Sequence, residues 1–307
     1  MQTHAAVILK TETDSLEGRA IEIAFHSLDL TSGCFSFQRK DMFNMRFNPE
    51  RRISVEAMAK HNIINQDLKN KPSYRSFTLP ASVLYIVGHN IDYDVRVLRR
   101  SGIKQELKPI DTLAMAKTLL PNAPGYSLET LSYYLASDQM HLRDYLLNTK
   151  GTRKDIDLTA ALLSKLIKLI PQVNKGSFQD LYEFSLECRV PKVIPAGEYQ
   201  GRAIADLPDS YKQFLLKSPG TDLWLKFALE LDAANANRRT FEALNSCIPN
   251  TYEDHQFINS RTPVKISKLH AYESLVIHGV VSGNGKYSTL RIFTPTSFND
   301  IQHGIFA

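Results

Sequence analysis

Three carboxylates on well-separated stretches are the residues of this chain best suited to chemistry. Glu12 ends a short apolar strand in KTETDSL, Asp94 opens a helix in GHNIDYD, and Asp155 opens another in KGTRKDIDLTAALL. Brought together at strand ends, they would form an oxygen-rich set of the kind Mg²⁺ or Mn²⁺ prefers, and so a site for phosphoryl transfer. Singly, each has an ordinary explanation: aspartates favour helix N-termini through the macrodipole, and a lone glutamate is commonly surface charge. Spacing alone leaves the ordinary explanations ahead. The histidines, His61 and His141 among them, have no ligand-like spacing. Cys34, Cys188 and Cys247 are odd in number and far apart, which suggests core thiols and neither a disulfide framework nor a Cys-rich metal site.

The elements that would position the carboxylates can be read from hydrophobic pattern. Ala5 to Leu9 and Ala20 to Phe25 read as strands, and Cys34 to Phe37 and Met45 to Phe47 extend them into an antiparallel meander. Ser54 starts a helical stretch, with another around Asn65 to Asn70. The continuous apolar run Ser82 to Gly88 reads as a buried strand leading into a helix from Ile91 to Ser101, stopped by Gly102. Helical patterns recur at Asp111 to Leu120, Ser127 to Leu135 and Asp155 to Ile170. A meander followed by alternating helix and strand implies an α/β domain, a mixed sheet flanked by helices. Prolines 171, 191 and 195 place a boundary between residues 171 and 195. Helices are expected at Asp209 to Lys217 and Asp222 to Ala234. A hairpin is expected where LVIHGVV and STLRIF flank Asn284-Gly285. The chain is thus read as residues 1–172, a small helical unit at 190–235 and a C-terminal region at 236–307, with no internal repeat.

Composition sets the bounds. The 307 residues are 43% hydrophobic and 22% charged, as in ordinary globular proteins. No apolar run reaches membrane-span length, and the N-terminus lacks the pattern of a secretory signal, so a cytoplasmic protein without a membrane partner is expected. A net charge of +5 permits contact with phosphates without requiring it.

Residues 5 to 170 resemble the DnaQ-like 3′-to-5′ exonucleases, especially the exodeoxyribonuclease X type. That family carries D-x-E-T-x-x-L, H-N-x-x-F-D and H-x-x-x-x-D in order. Here Lys10-Thr-Glu12-Thr13-Asp-Ser-Leu16 matches the first except at its leading Asp. His89-Asn90-Ile-Asp-Tyr93-Asp94 matches the second with Tyr for Phe, and Lys150-Gly-Thr-Arg-Lys-Asp155 stands at the third. The resemblance implies a ribonuclease H-like sheet in which Glu12, Asp94 and Asp155 face one another as catalytic and metal-binding groups. Thr13, Leu16, His89 and Asn90 would then hold the terminal nucleotide. Arg96, with Arg99 and Arg100 on the same helical face, could follow a phosphate backbone, although a solvated charged face is the commoner use of such a stripe. The plainer roles are core packing for Leu16, a backbone bond for Thr13 and strand-end closure for His89 and Asn90.

Two departures bear on activity. Lys10 replaces the Asp that bridges both metals in the family, and Lys150 replaces the general-base His. An ammonium about 4 Å from a divalent ion is repelled by roughly 8 kcal/mol at an effective dielectric of 20. Without the ion, the pKa of the attacking water is not lowered. Neighbouring carboxylates would push Lys150 upward and away from use as a base. The simplest expectation is that the two ammonium groups replace the two ions. Either lysine could instead turn outward. Three functions follow: an exonuclease-like protein that binds single-stranded DNA or RNA, or 3′ ends, with catalysis impaired or lost; an active 3′-to-5′ exonuclease using Mg²⁺ or Mn²⁺; or a non-catalytic scaffold whose C-terminal region binds a protein partner. Residues from Pro195 resemble a small domain appended to such exonucleases that opens P-F-G-K-x-x-G. Ala196 and Glu198 replace its Phe and Lys, while Gly197 and Gly201 read as turn residues.

Overall fold

The computed structural model describes residues 5–31, 34–36, 42–170, 176–246, 275–280 and 287–292. The chain divides into two compact units, Met1–Arg189 and Val190–Ala307.

The first unit is built on β1 (Ala5–Thr13), whose residues Ala6 to Leu9 are all buried, so both faces of the strand are covered. It pairs antiparallel with β2 (Ala20–Thr31) and parallel with β5 (Val83–Gly88). β3 (Cys34–Ser36) and β4 (Phe43–Arg46) both pair antiparallel with β2, and β6 (Lys108–Asp111) runs parallel beside β5. The order β3-β2-β1-β5-β6, with β4 also on β2, is a mixed sheet in which an antiparallel meander continues into parallel strands. With helices packed on it, this is the ribonuclease H-like α/β arrangement. Among the described residues no helix is long and apolar enough to cross a membrane.

Helices α1 (Val55–His61) and α2 (Asn65–Leu68) follow the meander, and Ile53, Ile63 and Leu68 close over Ile21 of β2. Ser54 caps α1 by accepting from the Ala57 N–H. α3 (Ile91–Arg100) buries Ile91, Asp94, Val95, Val97 and Leu98 against β1, β5 and β6. It ends at Gly102, φ 94°, where the Ile103 N–H reaches the Leu98 carbonyl. α4 (Thr112–Leu119), α5 (Leu128–Leu135) and α6 (Gln139–Asn148) lead to the 19-residue α7 (Gly151–Leu169). Ile156, Leu158, Leu162, Leu163, Leu166 and Ile167 recur at helical spacing on α7 and press it onto β1 and β2.

α8 (Phe178–Arg189) lies inside the stretch read from its prolines as a boundary. It packs on β6 and α4, with buried Arg189 bonded to the Pro109 carbonyl and paired with Asp92 of α3. Prolines flank this helix and do not interrupt it, which is why their concentration pointed to a boundary that sits at Arg189. α6 has no buried residue, so it carries no apolar stripe that would reveal it in sequence. β6, reading KPID, lacks a strand's apolar run.

The second unit has a core of Ile194, Ile204, Leu207, Leu225, Ala228 and Leu229, gathered around α9 (Asp209–Lys217) and α10 (Leu223–Ser246). Gly197 and Gly201, at φ 94° and 81°, turn the chain so that the Ile194 and Arg202 backbones pair. Further on, β7 (Leu275–Val280) and β8 (Tyr287–Ile292) pair antiparallel. The Asn284-Gly285 turn lies outside the described residues.

Candidate functional site

β1 continues past its apolar run into Lys10-Thr11-Glu12-Thr13, and strand alternation puts Lys10 and Glu12 on one face. Across the pairing, Lys10 faces Ala24 and Glu12 faces Glu22. α7 covers that face and brings Asp155, which is in the second turn of the helix because α7 starts at Gly151, not at Asp155 as its sequence pattern implied. The Lys10 ammonium stands 3.8 Å from the Asp155 carboxylate, with the two side chains 24% and 22% exposed. Thr11 alternates to the other side and meets α3. Its backbone N–H and its hydroxyl both donate to Asp94 Oδ1, at 2.8 and 2.7 Å.

Lys10, Glu12, Asp94 and Asp155 are close enough to fix one another's charge. Burial pushes the Glu12 carboxyl up to about 6, Asp155 and Asp94 add to the rise, and Lys10 and Lys60 oppose it. Asp94, fully enclosed, is raised by burial against the stabilising effect of Lys10 and the Thr11 bonds. Asp155 is raised by burial against Lys10 and Lys154. Burial alone would depress the Lys10 ammonium, but Asp94, Asp155 and Glu12 outweigh it and hold the group above its ordinary value. Lys10 therefore stays charged throughout the physiological range.

The second ammonium at the cluster comes from Lys154. Its Nζ is 2.6 Å from Glu129 of α5 and 3.8 Å from Asp155. Lys150, expected to supply that charge, precedes α7 and is exposed. Helix geometry accounts for the difference: Lys154 lies one turn beyond Lys150 and beside Asp155, where α7 faces α5. Sequence held the signal, a lysine directly preceding the third motif carboxylate, but the motif position drew attention to Lys150.

The residues matched to a nucleotide pocket divide sharply. Thr13 is buried, and its hydroxyl is engaged by the Ser15 carbonyl and the Tyr93 hydroxyl. His89 has both ring nitrogens engaged, Nε2 with the Tyr126 carbonyl at 2.7 Å and Nδ1 with the Thr112 hydroxyl at 3.0 Å. A carbonyl can only accept, so Nε2 carries the proton. Burial lowers its pKa. Leu16 is no core residue: it is 82% exposed on the β1–β2 turn. Asn90 is exposed and takes φ 66° at the start of α3, with no side-chain bond to that helix.

The arginine stripe does not stay together. Arg99 closes the end of α3 through the Ile103 and Gln105 carbonyls, and Arg100 ties α3 to Gly18 and Glu17 of the β1–β2 turn. Arg96 is exposed. Residues that sequence reading passed over hold the surroundings in place. Asp14, wholly buried, accepts from the Arg19 N–H and pairs with Arg51, which shapes the turn carrying Leu16. Glu22 accepts from the Thr152 hydroxyl at 2.7 Å and from Arg46, pinning the start of α7 to β2.

The donor set does not fit a divalent ion. An ammonium lies against Asp155, Asp94 Oδ1 already accepts two hydrogen bonds, and among the described residues no three His, Cys, Asp or Glu side chains are arranged to hold a metal.

The mixed sheet thus brings carboxylates from β1, α3 and α7 within electrostatic reach of one another and of Lys10. No protein-family model matches the chain. It is 30% identical over 150 residues to the DNA polymerase III subunit epsilon of Rickettsia prowazekii, covering 43% of this chain and 62% of that protein. The Rickettsia conorii protein of the same name is 28% identical over 188 residues, covering 54% of this chain and 75% of that one. The chain thus spans about 62% of the length of the first of these relatives. Among solved structures it is similar to exonuclease X in complex with 5′ overhanging duplex DNA, at 24% identity and a TM-score of 0.43, covering 59% of this chain and 99% of that one. For the ExoI/SSB-Ct complex the values are 16% and 0.44, with 73% and 62% covered. With its motifs in order, the chain is similar in sequence to these DNA polymerase III epsilon subunits, which supports a DnaQ-like 3′-to-5′ exonuclease relationship.

Proposed function

We propose that this protein binds the 3′ end of single-stranded nucleic acid at the strand-end cleft and does not cleave it. The observation that carries the reading is the Lys10 ammonium, 3.8 Å from Asp155 and held charged by Asp94, Asp155 and Glu12. A cation paired with Asp155 and within electrostatic reach of Glu12 and Asp94 offsets their charge. It also opposes the divalent ions that would otherwise activate water. Lys154 completes the compensation by bridging Asp155 and Glu129.

Leu16 and Asn90 are the motif residues free to meet a terminal nucleotide, one as an exposed apolar wedge and the other as an exposed amide. Thr13 and His89 have their polar groups engaged inside the fold. Lys60, Lys150 and Arg96 are exposed cations suited to phosphates, whose neutralisation makes binding weaken with salt. Relatives named as a DNA polymerase subunit favour DNA over RNA as the strand.

The test is a nuclease assay on end-labelled single-stranded DNA with Mg²⁺ or Mn²⁺, alongside anisotropy measurements of binding. The unaltered protein should bind without shortening the strand. The Lys10→Asp, Lys150→His double variant should gain metal-dependent degradation. Metal-dependent 3′-to-5′ degradation by the unaltered protein would overturn the proposal.

A further inference from the structure

The second unit carries a row of aromatic rings at the edge of its core. Tyr199, in the turn between Gly197 and Gly201, lies 4.5 Å centroid to centroid from Tyr211 of α9, with the planes 48° apart. One turn further along α9, Phe214 continues the row at 6.1 Å and 30°. At the other end, the Arg202 guanidinium sits over the Tyr199 ring at 5.6 Å. Tyr199 and Tyr211 rest on the core of Ile194, Ile204, Leu207, Leu225, Ala228 and Leu229, which fixes their rings. Phe214 is 61% exposed, and α9 contributes no buried residue of its own.

A large ring left mostly in water costs hydrophobic free energy that a smaller or polar residue would avoid. Here the exposed ring also extends a series of π-faces that ends in a cation. Exposed Lys192 belongs to the neighbouring backbone segment, its carbonyl accepting from the Ile204 N–H across the bridge between Val193 and Ala203. An exposed ring continuing a stacked series that ends in a guanidinium is the chemistry that receives single-stranded nucleic acid: a base stacks on the free ring, and the cation takes a phosphate. Lys212 is not part of this set, because Asp232 holds it at 2.7 Å.

We propose that Tyr199, Tyr211, Phe214 and Arg202 form a stacking platform for single-stranded nucleic acid on the second unit, a binding site separate from the strand-end cleft of the first. It does not depend on whether the cleft binds or cleaves. The cations favour nucleic acid over a proline-rich peptide, the other ligand that aromatic faces accept. Because every base has a π-face, the site should tolerate any sequence and prefer unpaired strands to duplex.

The test uses the full chain with a labelled oligonucleotide carrying photoreactive thymine analogues, followed by peptide mapping of the crosslinks. Crosslinks are expected in residues 195–217, and Phe214→Ala should weaken binding measured by anisotropy by about fivefold to a hundredfold, the range for loss of one stacked base. Arg202→Gln should weaken it less and reduce its salt dependence. Phe214 is exposed, so its variant should melt like the unaltered protein. Crosslinks confined to residues 1–189, unchanged affinity in Phe214→Ala, no binding at all, or displacement of nothing but a proline-rich peptide would each overturn the platform. Absence of crosslinks from residues 1–189 alone would count against the cleft and leave the platform standing.

Discussion

Replacing Lys10 with methionine keeps most of the side chain's volume and removes only its charge. Asp155 then loses a cation 3.8 Å away, and Glu12 and Asp94 lose the ammonium that opposes the burial-driven rise of their pKa values. Breaking a fully buried pair by removing one partner costs about 3–5 kcal/mol. Lys10 and Asp155 are 24% and 22% exposed, so solvent recovers part of that and the expected loss at pH 7.5 is about 2–3 kcal/mol. For a unit of this size it corresponds to a fall in Tm of about 5–10 °C. The loss must depend on pH. Glu12 titrates at about 6 in the folded chain, above its ordinary value of 4.5, so it binds its proton more tightly folded than unfolded. Its contribution to stability is therefore greatest below 4.5 and falls as pH rises through 6, by about 2 kcal/mol in total. Asp94 and Asp155, also raised, act in the same direction. Near pH 4.5 the carboxylates of the variant can take up protons in place of the missing ammonium, and most of the difference should vanish. Thermal melts of both proteins at pH 4.5 and 7.5 measure this. A Lys10→Met variant as stable as the unaltered protein at pH 7.5, or one destabilised equally at both pH values, would show that the ammonium does not stabilise the carboxylates.

The remaining expectations concern neighbouring groups. Lys154→Ala should cost about 1 kcal/mol in denaturant melts because it breaks a charge-assisted bond to Glu129, whereas Lys150→Ala should change stability by less than about 0.5 kcal/mol. Equal effects would mean that the assignment of the second ammonium is wrong. In imidazole nitrogen NMR, His89 should titrate below its ordinary value and carry its proton on Nε2 at pH 7; a protonated ring at that pH would contradict the Tyr126 bond. Arg99→Ala should destabilise the fold by about 1 kcal/mol through loss of two carbonyl partners. Arg96→Ala should leave melting unchanged and weaken oligonucleotide binding with a shallower salt slope.

The main strands were readable because continuous or alternating apolar runs such as AAVIL and SVLYIVG have no other economical use in a folded chain. What sequence obscured has physical reasons. β1 runs four residues past its apolar stretch because its pairing with β2 continues through the polar residues Lys10 to Thr13. Strand β6 hides behind Pro109, and α6 has no buried face to impose a period. Strand alternation puts Lys10 and Glu12 on one face of β1, and Lys10 lies against Asp155. Motif position could not tell which lysine of KGTRK would turn inward, since that depends on how α7 is rotated against α5. Nor could it show that the Thr13 and His89 polar groups are used up inside the fold, which follows from contacts with Tyr93, Thr112 and Tyr126 far along the chain.

Whether a lysine occupies the place of the metal ions is decided by calorimetric titration with Mg²⁺ and Mn²⁺. The unaltered protein should give no binding heat attributable to Glu12, Asp94 and Asp155. Lys10→Asp should bind the ions and gain thermal stability from them, because ligand binding to the folded state alone is stabilising. Tight binding of Mg²⁺ or Mn²⁺ to the unaltered protein, abolished by Glu12→Gln or Asp155→Asn, would contradict the claim and make the cleft a metal-dependent nuclease site.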